Sequence, residues 1–420
     1  MTYDPSGLDP QRTIRDLKEL RALTGDENGA QRVAFTDTWI AARKFMREKL
    51  ADLPIKVQVD EAGNQWATLP GKSDDALLIG GHIDSVPNGG WLDGCLNLLA
   101  GIEVLRHIAS LAPAARPPFT IRLVDWADEE GARFGRSLFG SSSTSGHMNP
   151  DDLRDLKDKD GIRLQDALER VGINIDRALD AKSQLQDAKA YLELHIEQGP
   201  VLESKNLAMG TVLGTYGVER HSIRFVGQAA HAGSTPMHMR RDALAAAARL
   251  ELEIREIAIR NGGVCTMGRV DTKPGIVTSV VETCDCLLDQ RHLDAGALAT
   301  MLREAKEASE KFAQQESVSA AWTRLWQIEP ILFHEELRTL TNEAIQEVTG
   351  ASFRLPSGPL HDAAEVARAG VPTVMLFVQS LRGLSHTKLE DTKEEHLALS
   401  VEALDRLAYK AMEWIQQRTK

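Results

Sequence analysis

Apolar residues are distributed along this chain in patterns that change from one region to the next. Over residues 14–23 and 30–50 they recur at helical spacing, as in Val33, Trp39, Ile40, Phe45 and Leu50, and the spacing predicts two helices. Short, nearly continuous apolar runs follow at 76–80 (ALLIG), 119–126 (FTIRLVDW), 190–196 (AYLELHI) and 372–378 (PTVMLFV), with a helical pattern from Leu96 to Leu111 between the first two. Runs of this kind read as strands buried on both faces. Their alternation with helices predicts an α/β domain whose sheet is covered on both sides.

From about Gly214 to Glu329 the rhythm differs. It reads as strand 221–226, helix 242–260, strand 264–270, an interrupted strand 277–290, helix 294–315 and strand 318–328. That β-α-β-β-α-β order predicts a ferredoxin-like α+β module. It is expected as an insertion, with residues 1–213 and 330–420 forming the larger, discontinuous domain and 214–329 the smaller. The charged segment 149–189 reads as helical without a domain-sized core of its own.

A length of 420 residues suits two domains, and 42% hydrophobic with 26% charged residues suits a soluble globular protein. The net charge of −12 argues against a nucleic-acid partner, which calls for a basic face. No apolar run approaches the ~18 residues of a membrane span, and the polar N-terminus lacks the apolar stretch of a signal peptide. Four cysteines (Cys95, Cys265, Cys284, Cys286) are too few and too irregular for a disulfide framework. A cytoplasmic enzyme is the expectation. Cys284 and Cys286, two apart with no second pair, are expected on one face of a strand rather than on zinc.

The unusual acids and histidines collect where the strands end. His82 and Asp84 follow ALLIG in GGHIDSVPNGGWLDG, and Asp93 sits in its glycine-rich loop. Glu129 and Glu130 follow the second strand in WADEEGARFG, His195 closes the third in ELHIEQGP, and His386 comes shortly after the fourth in LSHTKLEDT. In open α/β sheets the carboxyl edge of the strands is where active sites form. Imidazole and carboxylate ligands suit zinc, manganese or cobalt, and two such ions bridged by a carboxylate can activate water. Adjacent Glu129 and Glu130 offer one ligand and one non-ligating base. Asp84, two residues beyond His82, is placed to fix the tautomer of that imidazole. Two lookalikes fail: Gly71-Lys72-Ser73 ends like a phosphate-binding loop but Trp66 stands at its first glycine, and His334-Glu335-Glu336 lacks the second histidine of HExxH.

With these residues in place the sequence resembles the zinc-dependent aminoacylase and carboxypeptidase superfamily, and within it the hydantoinase/carbamoylase branch. The resemblance runs over nearly the whole chain through GHIDSVPNGGWLDG, DEEGARFG, ELHIEQGPVLE, HAGSTPMHMRRDAL and LSHTKLEDT, in that order. It implies two divalent metal ions per chain, with Asp93 as bridge, His82, Glu130, His195 and His386 as terminal ligands, and Glu129 as general base. It implies that the inserted module is a lid or dimerisation domain making a homodimer. His231 would help stabilise the tetrahedral oxyanion across that dimer, while Gln198 and Arg291 would bind substrate. Arg291 would grip a substrate carboxylate through its guanidinium fork.

The implied reaction is amide hydrolysis of an N-carbamoyl or N-acyl amino acid, or a related ureido acid. The pocket motifs depart from the family pattern: Thr278 stands where an asparagine is common, the common GQxR reads Gly217-Val218-Glu219-Arg220, and SGPLHDA carries Pro359 and Leu360. Alternatives are an aminopeptidase or dipeptidase on the same scaffold, with Glu219 meeting a substrate amine, and a catalytically silent metal-binding dimer. His361 and Asp362 are expected to support the site rather than to ligate.

Overall fold

The computed structural model describes residues 3–112 and 116–418. The chain divides into two compact units, one of Met1–Leu213 with Phe333–Lys420 and one of Gly214–Leu332.

The larger unit is built on a mixed sheet. Seven of its strands are β1 (Lys56–Val59), β2 (Gln65–Leu69), β3 (Ser73–His82), β4 (Phe119–Trp126), β5 (Ala188–Ile196), β6 (Met209–Thr215) and β7 (Thr373–Val378). They lie in the order β6-β7-β5-β3-β4-β2-β1. The central four, β7, β5, β3 and β4, are mutually parallel, while β6, β2 and β1 run antiparallel to their neighbours.

Burial on both faces explains the apolar runs. Leu77 and Ile79 of β3 belong to one core, and the alternating Ala76 and Leu78 belong to another. Helices α1 (Pro10–Thr24), α2 (Asp37–Leu50), α3 (Cys95–Ser110) and α4 (Glu394–Arg418) all contribute to the first core. Pro10 opens α1 and the Asp9 carboxylate accepts the Arg12 N–H, which satisfies an otherwise unpaired donor of the first turn. Segment 149–189 forms only short helical turns, and its Leu153, Leu164, Leu168, Ile175 and Ala178 are buried in the same core.

The expected helix 30–50 begins only at Asp37. Thr36 caps it by accepting the Trp39 N–H, and Phe35 just before adopts φ 61, which no helix continues through. The strands β1, β2 and β6 and the long C-terminal helix were not legible as apolar runs: β1 is largely unburied, with Val59 56% exposed, and α4 buries only one stripe.

The smaller unit has an antiparallel sheet in the order 264–273, 283–292, 217–226, 319–328, with helices Ala243–Asn261 and Ala295–Gln315 between strands in the β-α-β-β-α-β sequence. The helices cover one face, where Ile223, Phe225, Cys284, Cys286 and Leu288 meet Leu250, Ile254 and Met301. Cys284 and Cys286 thus share a face, as their spacing requires. The opposite face carries the salt-bridged pairs Arg224–Asp285 and Arg220–Asp289. The expected strand 277–290 is broken in two: Ser279–Val280 pairs with Ala230–His231 in a separate ribbon, and Thr283–His292 joins the main sheet. Among the described residues no helix is long and apolar enough to cross a membrane.

Candidate dimetal active site

Parallel strands in register end together. His82 of β3 is the register partner of Trp126 at the end of β4, and His195 of β5 is the partner of Phe377 in β7. Both histidines therefore reach the same edge of the sheet, and their rings lie 5.9 Å apart between centroids.

The loop beyond β3 is held by polar groups from distant parts of the chain. The Ile83 N–H donates to Asp125 (2.8 Å), whose other oxygen pairs with Arg43 (2.6 Å). Buried Arg32 donates to the Ile83 carbonyl (2.8 Å). After Asp93 the chain turns at Gly94 with φ 67, and a Cβ there would sit 2.3 Å from the His82 carbonyl oxygen, so only glycine lets Asp93 approach so closely. Beyond β4, the Asp84 carboxylate accepts the Glu129 and Glu130 N–H groups (both 3.2 Å), fixing the turn that aims these side chains.

The side chains converge on Asp93. One of its oxygens is 3.2 Å from His195 Nε2 and 3.7 Å from His82 Nε2. The other is 3.5 Å from His386 Nε2, which in turn is 3.3 Å from a Glu130 oxygen. Among the described residues three candidate ligand sets have donor atoms mutually within 4.8 Å: His82–Asp93–His195 and Asp93–Glu130–His386, which share Asp93, and His82–Glu129–Glu130. Glu129 is buried and stands 3.8 Å from His82 Nε2. A divalent metal fits this set. His82 Nδ1 faces the Asp84 carbonyl (3.1 Å) and His195 Nδ1 the Ile196 carbonyl (2.8 Å), which makes both Nδ1 atoms donors. The Nε2 atoms of His82 and His195 and one Glu130 oxygen are buried without a hydrogen-bond partner. Buried polar atoms in this state call for a ligand.

Titration follows from the crowding. Burial pushes His82 down to about 4. Burial opposes the charge of Asp93, yet His195, His82 and His386 together hold it well below the usual carboxylate range. Burial likewise opposes protonation of His195, but the Asp93 carboxylate 3.2 Å from its Nε2 outweighs this and lifts it to about 9. The proton drawn there occupies the position for which a cation competes. Burial, followed by the nearby Asp362 and Glu130 carboxylates, pushes Glu129 well above its ordinary value.

Other expected site residues fall differently. The contact from Asp84 to His82 comes from its carbonyl; its carboxylate is 3.7 Å from Nδ1 and is engaged by the two glutamate amides. Gln198 donates to Asp93 (2.9 Å) and to Ser385 (3.0 Å), so it is tied to the bridging carboxylate. His361 packs its ring 4.4 Å from that of His195 and bonds Ser357, and Asp362 is fully buried beside it; neither joins a ligand set.

In the smaller unit, His231 and Thr278 are neighbours: the Thr278 carbonyl accepts the Ala232 N–H (2.9 Å). His231 Nδ1 accepts from the Gly233 and Ser234 amides, which leaves the ring proton on Nε2 as an outward donor. Arg240 braces this loop through the Ala232 and Thr235 carbonyls, and Asp242 caps the following helix. Arg291 is held by Asp289 (2.7 Å) on the face opposite the helices. Glu219 points to the helix-covered face, buried and 3.3 Å from Arg324. Alternation along paired strands puts Glu219 and Arg291 on opposite faces, because Glu219 pairs with Gln290 and Arg291 with Val218. Glu219 is thereby removed as a companion of Arg291 in gripping one substrate.

The sequence reading missed Ser385, Glu390, Asp125 and Arg32. Ser385 and Glu390 lie inside LSHTKLEDT, so the motif itself was their signal; Arg32 and Asp125 had none.

Comparison with known proteins agrees with this geometry. Residues 78–410 match peptidase family M20/M25/M40. The chain is 35% identical over 379 residues to the N-carbamoyl-L-amino acid amidohydrolase of Geobacillus stearothermophilus, covering 90% of this chain and 92% of that protein. It is 32% identical to the allantoate amidohydrolase of Escherichia coli (strain K12), covering 91% and 92%. A crystal structure of an amidase of the hydantoinase/carbamoylase family from Burkholderia multivorans superposes with a TM-score of 0.87 at 28% identity, over 96% of this chain and 98% of that one. With the site assembled at the sheet edge and these matches running the length of the chain, the protein belongs to peptidase family M20/M25/M40, within its hydantoinase/carbamoylase amidases, and is a hydrolase of carbon–nitrogen bonds.

Proposed function

We propose that the chain hydrolyses the amide bond of an N-carbamoyl amino acid or a related ureido acid at a pair of divalent metal ions, zinc being the first expectation and manganese or cobalt the alternatives. The observation that carries this reading is the double membership of Asp93, which stands in the His82–His195 set and in the Glu130–His386 set at once. One ion would be held by His82, His195 and Asp93, the other by Asp93, Glu130 and His386. When bound, such a pair supplies Lewis acidity toward the substrate carbonyl and makes water easier to deprotonate.

The protein's own groups do the rest. Glu129 takes a proton from the attacking water at its carboxylate and returns it to the departing nitrogen. Its burial keeps competing solvent away from it. Asp84 holds Glu129 and Glu130 at adjacent, differently used positions through their amides. The His231 Nε2–H is the donor offered to the developing oxyanion. We place it on a second copy of the chain, with the inserted module forming a homodimer; strand 264–273 is an edge of its sheet with Val264 and Val270 exposed, a suitable surface for such pairing. Arg291, pre-oriented by Asp289, is the group for a substrate carboxylate, with Gln198 and Thr278 as further contacts.

The deciding experiment is a hydrolysis panel of N-carbamoyl-L-amino acids, allantoate, N-acetyl amino acids and dipeptides on the zinc-loaded and chelated protein, with products identified by mass. Turnover of carbamoyl or ureido acids that chelation abolishes and zinc restores supports the reading. Turnover restricted to dipeptides, or unaffected by chelation, refutes it.

A further inference from the structure

Asp93 is held from a direction that the ligand sets do not explain. Glu390, 2% exposed, lies under the turn that carries Asp93. One of its oxygens accepts the backbone N–H groups of Leu92 (3.1 Å) and Asp93 (3.0 Å). Its other oxygen meets the Ser385 hydroxyl at 2.9 Å, and that hydroxyl is also 3.0 Å from the Asp93 carboxylate. Gly90 leaves room for this: a Cβ there would fall 2.0 Å from the Glu390 carboxyl carbon. The two stretches joined in this way lie about three hundred residues apart in sequence, and the second of them carries His386 between Ser385 and Glu390.

From this arrangement we propose that Ser385 and Glu390 are positioning residues for metal binding, a latch that clamps Asp93 at its backbone and its carboxylate and fixes the His386 loop to it. The inference rests on the dimetal reading of the site. His386 needs such an anchor. Its side chain is 50% exposed and its backbone sits at φ 56, so neither burial nor ordinary conformational preference holds it. A carboxylate that serves two ions must keep each oxygen aimed at one of them. The amide bonds from Glu390 fix where the Asp93 backbone starts, and Ser385 with Gln198 restrains the oxygen on the His386 side. Outer hydrogen bonds of this kind typically set metal affinity by about 10–100-fold. The latch touches neither substrate nor the reacting atoms, so its loss acts through metal occupancy.

The test compares Ser385→Ala, Ser385→Thr, Glu390→Gln and Asp93→Ala with the parent full-length protein. Zinc affinity is measured by chelator competition, bound zinc by mass spectrometry, and amide exchange at Leu92 and Asp93 in the metal-free proteins. Thermal unfolding checks that each variant folds. Expected results are a loss of zinc affinity of about tenfold or more in Ser385→Ala and Glu390→Gln, recovery of most of it in Ser385→Thr, and faster exchange at Leu92 and Asp93 in Glu390→Gln. For zinc-saturated variants, KM stays at the parental value and kcat returns toward it. Folded Ser385→Ala and Glu390→Gln proteins with parental zinc affinity overturn the latch. So does unchanged amide exchange in Glu390→Gln, which reads the latch without metal. Parental zinc binding by Asp93→Ala overturns instead the dimetal reading on which the latch depends.

Discussion

The candidate residues of the larger unit and those of the smaller one are built on opposite principles. In the larger unit, His82, Asp93, Glu129 and His195 are buried; His82 and His195 are oriented by neighbouring carbonyls, of Asp84 and Ile196, while Asp93 and Glu129 are held by Glu390 and Asp84 from distant parts of the chain. In the smaller unit, His231 and Thr278 are exposed at a two-stranded ribbon, and Arg291 is half-buried and held by Asp289 two residues away. Burial without water strengthens every charge interaction and keeps polar atoms unpaired until a ligand arrives. Exposed groups on a sheet face do no chemistry in isolation but are accessible to a substrate or a partner. The first set is therefore expected to govern metal and turnover, and the second substrate recognition.

The largest effect belongs to the buried set. Glu129→Gln should lower kcat by ~100-fold or more while metal content stays parental. A matching loss of metal would make Glu129 a ligand and exchange its role with Glu130.

If the exposed set works from a second copy of the chain, mixing inactive His231→Ala with inactive Glu129→Gln should restore turnover once subunits have exchanged. Exchange verified by mass with no regained activity would place His231 in its own chain's site or outside catalysis. Arg291→Ala should raise KM by ~10–100-fold for a substrate with a free carboxylate, the worth of a charge-assisted hydrogen-bonded pair, with a smaller change in kcat. An equal loss with a substrate whose carboxylate is amidated would show that Arg291 does not grip that group.

The smallest effect concerns a buried histidine of the larger unit that has no place in the site. His107 has acceptors at both nitrogens, Asp405 at 2.9 Å and the Asp4 carbonyl at 2.8 Å, the arrangement of an imidazolium. Burial opposes its charge, but Asp405 raises its pKa above the ordinary value. A raised folded pKa gives stability that is complete below the unfolded value near 6.5 and lost as pH climbs through the folded one. The Tm gap between the parent and Asp405→Asn should thus be widest in mild acid and shrink toward alkaline pH, with no change in metal content. A gap that widens with pH would contradict the cationic pair.

Much of this was already written in the order of the residues. The four parallel strands were legible because burial on both faces leaves uninterrupted apolar runs, and the inserted module because its alternation of strand and helix differs from that of its surroundings. Asp93, Glu130, His195 and His386 could be picked out because strand ends and glycine-rich loops are local features. Three things were decided only by the tertiary structure. The face on which Glu219 lies was one, because a strand's period of two says which residues share a face but not which face meets helices. The Asp84 group that faces His82 most closely, its carbonyl, was another. Arg32 and Asp125 hold the loop beyond β3 from elsewhere in the chain, and hydrogen bonds between residues some tens of positions apart leave no trace in local periodicity. Local pattern determined the elements and the candidate ligands; long-range polar contacts decided how they are held.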